Sequence, residues 1–216
     1  KGSVFAEEVA QHPDVVSTSL GRMALGQGGS STFIIPEGFP PDQVEIRMFP
    51  ADGNFQKTYG LEMAMGRFFD VPKMANDSNA LVINEALARQ LKWDNPMKKT
   101  IKFQGDAQAY SIIGVLKDFN FNSLYEDIEP LVMWINPTNQ RNLSVRFSGN
   151  PAALLSFIEG KWKTFESKYP FRYYFLDEAL AKAYESDQKL FKTMITFAGL
   201  SIIIACLGLY GLVSFT

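Results

Sequence analysis

Residues 193–216, TMITFAGLSIIIACLGLYGLVSFT, contain no charged side chain, and Lys192 is the last charge before them. At about 1.5 Å rise per residue such a run extends about 36 Å as a helix, enough to cross a hydrocarbon core of about 30 Å with modest tilt. The run is predicted to be a transmembrane helix, since buried helices of soluble cores seldom continue this far without a charge. Ser201, Ala205 and Gly208 share one face at helical spacing. Small residues there allow a second helix to approach closely where lipid removes the usual hydrophobic drive. That face predicts a helix partner outside this chain.

The other residues supply material for one sizeable core or two small lobes, since 46% of the 216 residues are hydrophobic. With 21 basic and 23 acidic residues evenly mixed, the net charge is −2. No basic stripe marks a nucleic-acid surface and no polybasic cluster marks an anionic membrane face. Cys206 is the single cysteine and lies in the apolar run, which rules out an intrachain disulfide and a cysteine metal site. The opening KGSVFAEEVAQ lacks the apolar core of a signal peptide. The chain is thus expected to be either cytosolic or a fragment from which a preceding membrane segment is missing, and the terminal membrane helix favours the fragment.

Along the chain, residues 3–11 predict a short helix with Val4, Phe5 and Val9 inward, closed by His12-Pro13. VVSTSL (15–20) predicts a half-buried strand, followed by a glycine-rich loop over 21–31. That loop lacks the GK[ST] of a phosphate cradle. After Pro36, Pro40 and Pro41, VEIRMFP (44–50) alternates as a strand. A helix over 52–60, capped near Asp52 and stopped by Gly60, leads to a strand over 61–69. Residues 80–83 predict a strand running into a helix capped by Asn84, with Ala86, Leu87, Gln90 and Leu91 at helical spacing. Residues 99–103, 109–119 and 130–135 read as antiparallel strands. Asp127, Glu126 and Glu129 between the last two lack the register of a calcium loop, so a solvated loop is expected. Then come strand 143–147, a helix over 152–167 with Pro151 in its first turn, and strand 171–176. Asp177 is expected to cap a helix that continues without a breaker into the apolar run.

Catalytic inventories are thin. His12 is the lone histidine, which leaves little for a Ser/His/Asp triad or a histidine zinc site. The carboxylate pairs Glu7/Glu8, Glu126/Asp127 and Asp177/Glu178 are sequence neighbours and point apart, so none is preset for acid–base work. No Walker motif is present. The 18 Phe, 8 Tyr and 3 Trp, including the aromatics beside Arg172 at Tyr173 and Tyr174, are read as core and rim, not as a ligand cage.

Several blocks in order carry a resemblance: Gly66-Arg67-Phe68-Phe69, Asn84-Glu85-Ala86, Gly114-Val115-Leu116-Lys117-Asp118-Phe119, and Ala205-Cys206-Leu207-Gly208-Leu209. With their spacing, from about Ser3 to Thr216, the chain resembles the extracytoplasmic domain and following membrane helix of MacB/FtsX-type ABC transporter permeases. The resemblance implies an α+β fold: a porter-like lobe of βαβ units (1–70 and 140–190), an inserted β-rich lobe (71–139), and a helix running into the transmembrane segment (193–216). It implies that Gly66, Arg67, Phe68, Asn84, Glu85, Gly114, Lys117, Asp118 and Phe119 are structural signature residues. No catalytic, cofactor or metal residue is implied. Also implied are a bacterial inner-membrane location with residues 1 to about 190 periplasmic, an ABC ATPase subunit reached through other parts of the permease, a second permease copy or half, and a periplasmic adaptor or lipoprotein. Nucleic acid is not among the expected partners. The expected role is mechanotransmission, the coupling of ATP-driven helix motion to periplasmic efflux or partner activation. A ligand-sensing receptor domain between two membrane helices is the alternative, and a lipid-processing enzyme a third with no catalytic set to support it.

Overall fold

A computed structural model describes residues 2–22, 30–40, 44–70, 77–121, 127–135, 141–166 and 168–214, with only the backbone described at 180–189, 208–209 and 211–213. Most of the glycine-rich loop, Glu126 in the acidic loop, and the surroundings of Gly208 therefore lie outside the described residues. The elements in order are α1 (Gly2–Ala10), β1 (Val15–Gly21), β2 (Ser30–Pro36), β3 (Val44–Ala51), α2 (Phe55–Tyr59), β4 (Met63–Gly66), β5 (Ala80–Asn84), α3 (Glu85–Gln90), β6 (Thr100–Phe103), β7 (Ala109–Leu116), β8 (Leu131–Ile135), β9 (Asn142–Phe147), α4 (Pro151–Phe165) and α5 (Leu176–Val213). The chain divides into two units, residues 1–172 and 173–216.

In the first unit seven strands run in the order β4-β7-β5-β8-β3-β2-β6, and β6 also pairs with β7. The sheet therefore closes on itself, with β4 extending one side of β7. Period-two alternation sorts side chains to the two faces. Leu81 and Ile83 of β5 join Ile34, Ile46, Ile101, Ile112, Val115 and Val132 in one core cluster. The intervening Ala80 and Val82 join Phe49, Leu131 and Met133 in another, covered by Phe55 of α2 and by Phe68, Phe69 and Phe121. Leu87 of α3 and Leu91 complete the first cluster.

The pairing is mixed. β3–β8 and β5–β7 are parallel, whereas β5–β8 and β6–β7 are antiparallel. Within 99–135 β6 and β7 pair antiparallel as expected, and β8 runs opposite to β7 but is separated from it by β5; both parallel pairs involve a strand outside that range. β5, α3 and β7 form a strand–helix–strand crossover, which parallel neighbours require.

Among the described residues the second sheet of this unit contains β1 and β9, antiparallel from Val15↔Phe147 to Gly21↔Asn142. Phe5 and Val9 of α1 pack against Leu154 and Ile158 of α4 beside it. Phe5 also makes an edge contact with Trp162 at 5.3 Å between ring centroids. Val4, predicted to face inward, is 51% exposed, because Ala6 takes the inner position. Asn150 caps α4 by accepting from the Ala152 N–H at 2.9 Å, with Pro151 in the first turn.

The expected division at residue 70 does not follow the sheets. β2, β3 and β4, within the range 1–70 assigned by sequence to the outer lobe, lie in the closed sheet with β5–β8, so among the described residues the strands pairing from both chain ends are β1 and β9. β2 has no counterpart in the sequence reading. No strand forms over 171–175, where an aromatic strand was predicted; α5 begins at Leu176, which puts Asp177 and Glu178 in its first turn and not at its cap.

The closed sheet turns on one tight approach. The β5–β7 register slips between Leu81↔Ile112 and Val82↔Gly114, a bulge that sets Gly114 opposite Gly66 of β4. A Cβ on Gly114 would overlap the Arg67 carbonyl oxygen, and one on Gly66 the Ile113 carbonyl oxygen. Gly66 also adopts φ 70°, which side chains other than glycine rarely accept. Gly114→Ala is expected to lower unfolding stability by about 1–3 kcal/mol through forced backbone displacement, measurable by urea denaturation of the chain.

Candidate functional site

The signature residues converge where β4, β7 and α3 meet. Asn84 ends β5, is fully buried, and makes three hydrogen bonds. Its Oδ1 accepts from the Leu87 N–H (3.1 Å) and the Leu131 N–H (2.9 Å), and its Nδ2 donates to the Glu129 carbonyl (2.9 Å). One amide thus caps α3 and ties β5 to the start of β8. Glu129, expected in a solvated loop, instead accepts from Arg47 of β3 through both carboxylate oxygens, at 2.8 and 3.0 Å.

Asp118 follows β7 and accepts from the Ala86 N–H at 2.8 Å and from Arg89 at 2.5 Å. Glu85 reciprocates by accepting from the Asp118 N–H at 3.1 Å. An anion at the exposed N–H groups of a helix start is favourable, so these two carboxylates hold α3 to the end of β7. Arg67 donates through two nitrogens to Asp77, at 2.7 and 2.6 Å, and to the Phe68 carbonyl. Asp77, absent from the sequence signature, is 2% exposed and also accepts from the Asp70 N–H. Its only sequence signal is an Asp in the turn before a buried strand. Phe68 is buried, and Phe119 packs at the edge of the same cluster, 5.8 Å from Phe121. An open groove of about 420 Å³ lies between β4 and α3, lined by Met65, Glu85, Arg89, Lys92, Trp93 and Pro96 among others.

Lys117 pairs with Glu62 at 2.6 Å on the exposed rim. Its hydrogen bond and charge lower the Glu62 carboxyl from the ordinary glutamate value, and Glu62 in turn raises the Lys117 ammonium. The other sequence candidates are ordinary. His12 Nδ1 accepts from the Asp14 N–H, and its ring rests 4.8 Å from that of Phe157. Among the described residues no three His, Cys, Asp or Glu side chains group as a metal site.

A second polar group, missed in the sequence, joins α2 to the β1–β9 sheet. Asp52, predicted near a helix cap, accepts from the N–H of Asn54, the N-cap residue of α2, at 3.2 Å, and also from the Ser19 hydroxyl and the Leu20 N–H, each at 2.7 Å. Burial pushes its carboxyl above the usual aspartate value, opposed by those hydrogen bonds. Ser17 and Thr58 share a buried hydroxyl hydrogen bond at 2.8 Å, Tyr59 and Ser144 one at 2.6 Å, and Arg146 donates to the Lys57 carbonyl at 3.2 Å.

The second unit contains α5, 38 residues without interruption. Its stretch Leu190–Leu207 is long and apolar enough to cross a membrane, and none of it is buried. Ser201 and Ala205 are exposed there, and the Ser201 hydroxyl donates to the Phe197 carbonyl.

Two outcomes test these placements. Asn84→Ala strands the Leu131 N–H and the Glu129 carbonyl and removes a helix cap, and is expected to cost about 3–5 kcal/mol in chemical denaturation. Asn84→Asp keeps both acceptor contacts and should fall between that variant and the parent. Lys117→Met should return the Glu62 carboxyl upward toward its ordinary titration, read by NMR. Because Glu62 is depressed in the fold, its share of stability is present above the unfolded carboxyl pKa and is lost as pH falls through the folded one; Lys117→Met should flatten that acid-side dependence.

Residues 6–160 match the family described as the MacB-like periplasmic core domain. Among solved structures, the extracellular domain of the noncanonic ABC-type transporter YknZ from Gram-positive bacteria is similar at TM-score 0.55 and 13% identity, covering 77% of this chain and 84% of that one. The periplasmic region of MacB from Actinobacillus actinomycetemcomitans gives 0.56 and 14%, over 77% and 74%. A domain of a putative permease protein from Porphyromonas gingivalis gives 0.52 and 19%, over 73% and 68%. No curated protein matches. With closed sheet, β1–β9 pair and apolar terminal helix in place, the chain belongs to the MacB-like periplasmic core domain family of ABC transporter permeases.

Proposed function

We propose that this domain transmits force and performs no bond chemistry: ATP-driven movement of membrane helices is passed through α5 to the periplasmic body, driving efflux or activating a partner. The observation that carries this reading is the continuity of α5. A single helix runs from Leu176 to Val213 and contains the exposed apolar stretch Leu190–Leu207. A continuous helix conveys displacement along its axis, whereas a flexible linker of the same length would absorb it. Leu190–Leu207 then lies in the bacterial inner membrane, with the residues before it on the periplasmic side, and the face of Ser201, Ala205 and Gly208 meets another membrane helix of the same permease or of a second copy.

On this reading ATP hydrolysis belongs to a separate ATPase subunit, reached through other parts of the permease. A periplasmic adaptor or lipoprotein is the outward partner. Gly66, Arg67, Phe68, Asn84, Glu85, Gly114, Lys117, Asp118 and Phe119 serve as framework: their partners are one another, backbone groups and neighbouring side chains, which supports a rigid body that moves as a load. The hypothesis also needs no cofactor.

Inserting Gly-Gly-Ser after Ser186 of α5 in the complete transporter is expected to reduce transport at least tenfold while ATP hydrolysis continues. Transport equal to the parent would refute the rod.

A further inference from the structure

The body of the domain contains two apolar cores that share no buried residue. One set of clusters belongs to the closed sheet with α2 and α3, and the other joins α1, α4 and the β1–β9 pair. Hydrogen bonds of side chains cross between them: Ser17 to Thr58, Ser19 and the Leu20 N–H to Asp52, Tyr59 to Ser144, and Arg146 to the Lys57 carbonyl. Ser17, Ser19 and Thr58 are buried, so this is an internal seam and not a rim.

The chain's path adds a second, independent observation. Residues 30–135 contribute every strand of the closed sheet, so the backbone leaves the small lobe after β1 and returns before β9. Both crossings depart from the same end of the β1–β9 ladder. Gly21 pairs with Asn142 there, the Arg141 N–H donates to the Gly21 carbonyl at 2.9 Å, and the Asn142 side-chain amide donates to the Arg22 carbonyl at 2.9 Å. The covalent links of the small lobe to the closed sheet thus both start from the Gly21–Asn142 end of the ladder, and the Val15–Phe147 end has none. The seam bonds lie progressively farther along the ladder, from Leu20 and Ser19 past Ser17, and from Ser144 to Arg146.

We propose that the β1–β9 lobe, with α1 and α4, is hinged to the closed sheet at Gly21–Asn142, and that the seam of Asp52, Thr58 and Tyr59 against Ser17, Ser19 and Ser144 is the latch that holds it shut. Hydroxyl and carboxylate hydrogen bonds suit a latch because water replaces them when the seam opens. Separating an apolar core would instead expose surface at a cost that grows with area. α2 is the moving contact: Gly60 closes it with φ 70°, and a Cβ there would press on the Arg146 guanidinium. The small lobe is also the one whose chain continues from α4 toward α5. Opening goes beyond force transmission by a rigid body, because it makes the domain itself two-state.

The test uses the full chain in detergent with Cys206→Ser, and spin labels on cysteines at exposed Glu7 of α1 and Gln104 after β6. Pulsed electron resonance then reads the distance between the lobes. A second labelled pair at Glu7 and Ser156 of α4 reads within the small lobe. Tyr59→Phe, which removes one hydroxyl, and Asp52→Asn are each expected to broaden the Glu7–Gln104 distribution and lengthen its mean by at least a few ångströms. The Glu7–Ser156 distance should stay that of the parent. An unchanged Glu7–Gln104 distribution in Tyr59→Phe overturns the latch, whether or not Asp52→Asn folds. Equal broadening of both pairs also overturns it, since that is general loosening and not rotation about a hinge.

Discussion

The backbone approach of Gly66 to Gly114 is the constraint on which the rest of the closed sheet depends. Two strands touch there without side chains between them, and the bulge in β7 sets the phase of everything downstream. Val115 faces one core and Leu116 the other because the bulge has taken up the extra residue. Lys117 and Asp118 therefore emerge beside Glu62 and α3, where one meets a carboxylate and the other meets the helix start. On the β4 side the same contact delivers Arg67 to Asp77. The signature residues are scattered in sequence because a closed sheet gathers its joints from distant strands.

Local chemistry was legible and partner choice was not. Asn84 could be read as a cap because the signal lies within four residues: a buried β-branched strand, an amide, then alternation at helical spacing. Gly60 as a helix stop and Pro151 in a first turn were legible for the same reason. α1 was placed correctly while its face was off by one side chain, since Val4 and Ala6 compete for the inner position and only tertiary packing decides between them. β2 was hidden by a serine-rich start and a proline end. The pairing of β3 with β8 in parallel spans eighty residues, and no local pattern encodes such a choice. This is why the sheet was divided at residue 70.

The polar joints were also partly opaque. Arg67, Asp118 and Lys117 were identified through resemblance, but their carboxylate and amine partners Asp77, Arg89 and Glu62 were not, because an ion pair is a property of two positions. Asp52 was read as a helix cap from its spacing to α2. In the fold it does both: it accepts from the Asn54 N–H at 3.2 Å just ahead of α2, where Asn54 holds the N-cap position without a side-chain cap bond, and it accepts from β1. A carboxylate has two oxygens and can satisfy a local and a distant donor at once, so its spacing to α2 reveals only the local one. The distant donors are the Ser19 hydroxyl and the Leu20 N–H.

The two kinds of joint differ in what they allow. Around α3 each polar contact sits beside a continuous apolar core, so breaking it would also expose Leu87 and Leu91, both nearly fully buried. Loss of a buried leucine contact commonly costs about 2–5 kcal/mol. Across the seam the contacts are hydroxyls, one carboxylate and the Arg146 guanidinium, about 0.5–1.5 kcal/mol net for a neutral pair and about 1.5–3 kcal/mol where one group is charged, because water is a competent substitute. A displacement arriving from the side of α4 is therefore resisted strongly inside either lobe and weakly between them. Compliance concentrates at the seam for that reason alone, and the fold needs no flexible linker to move.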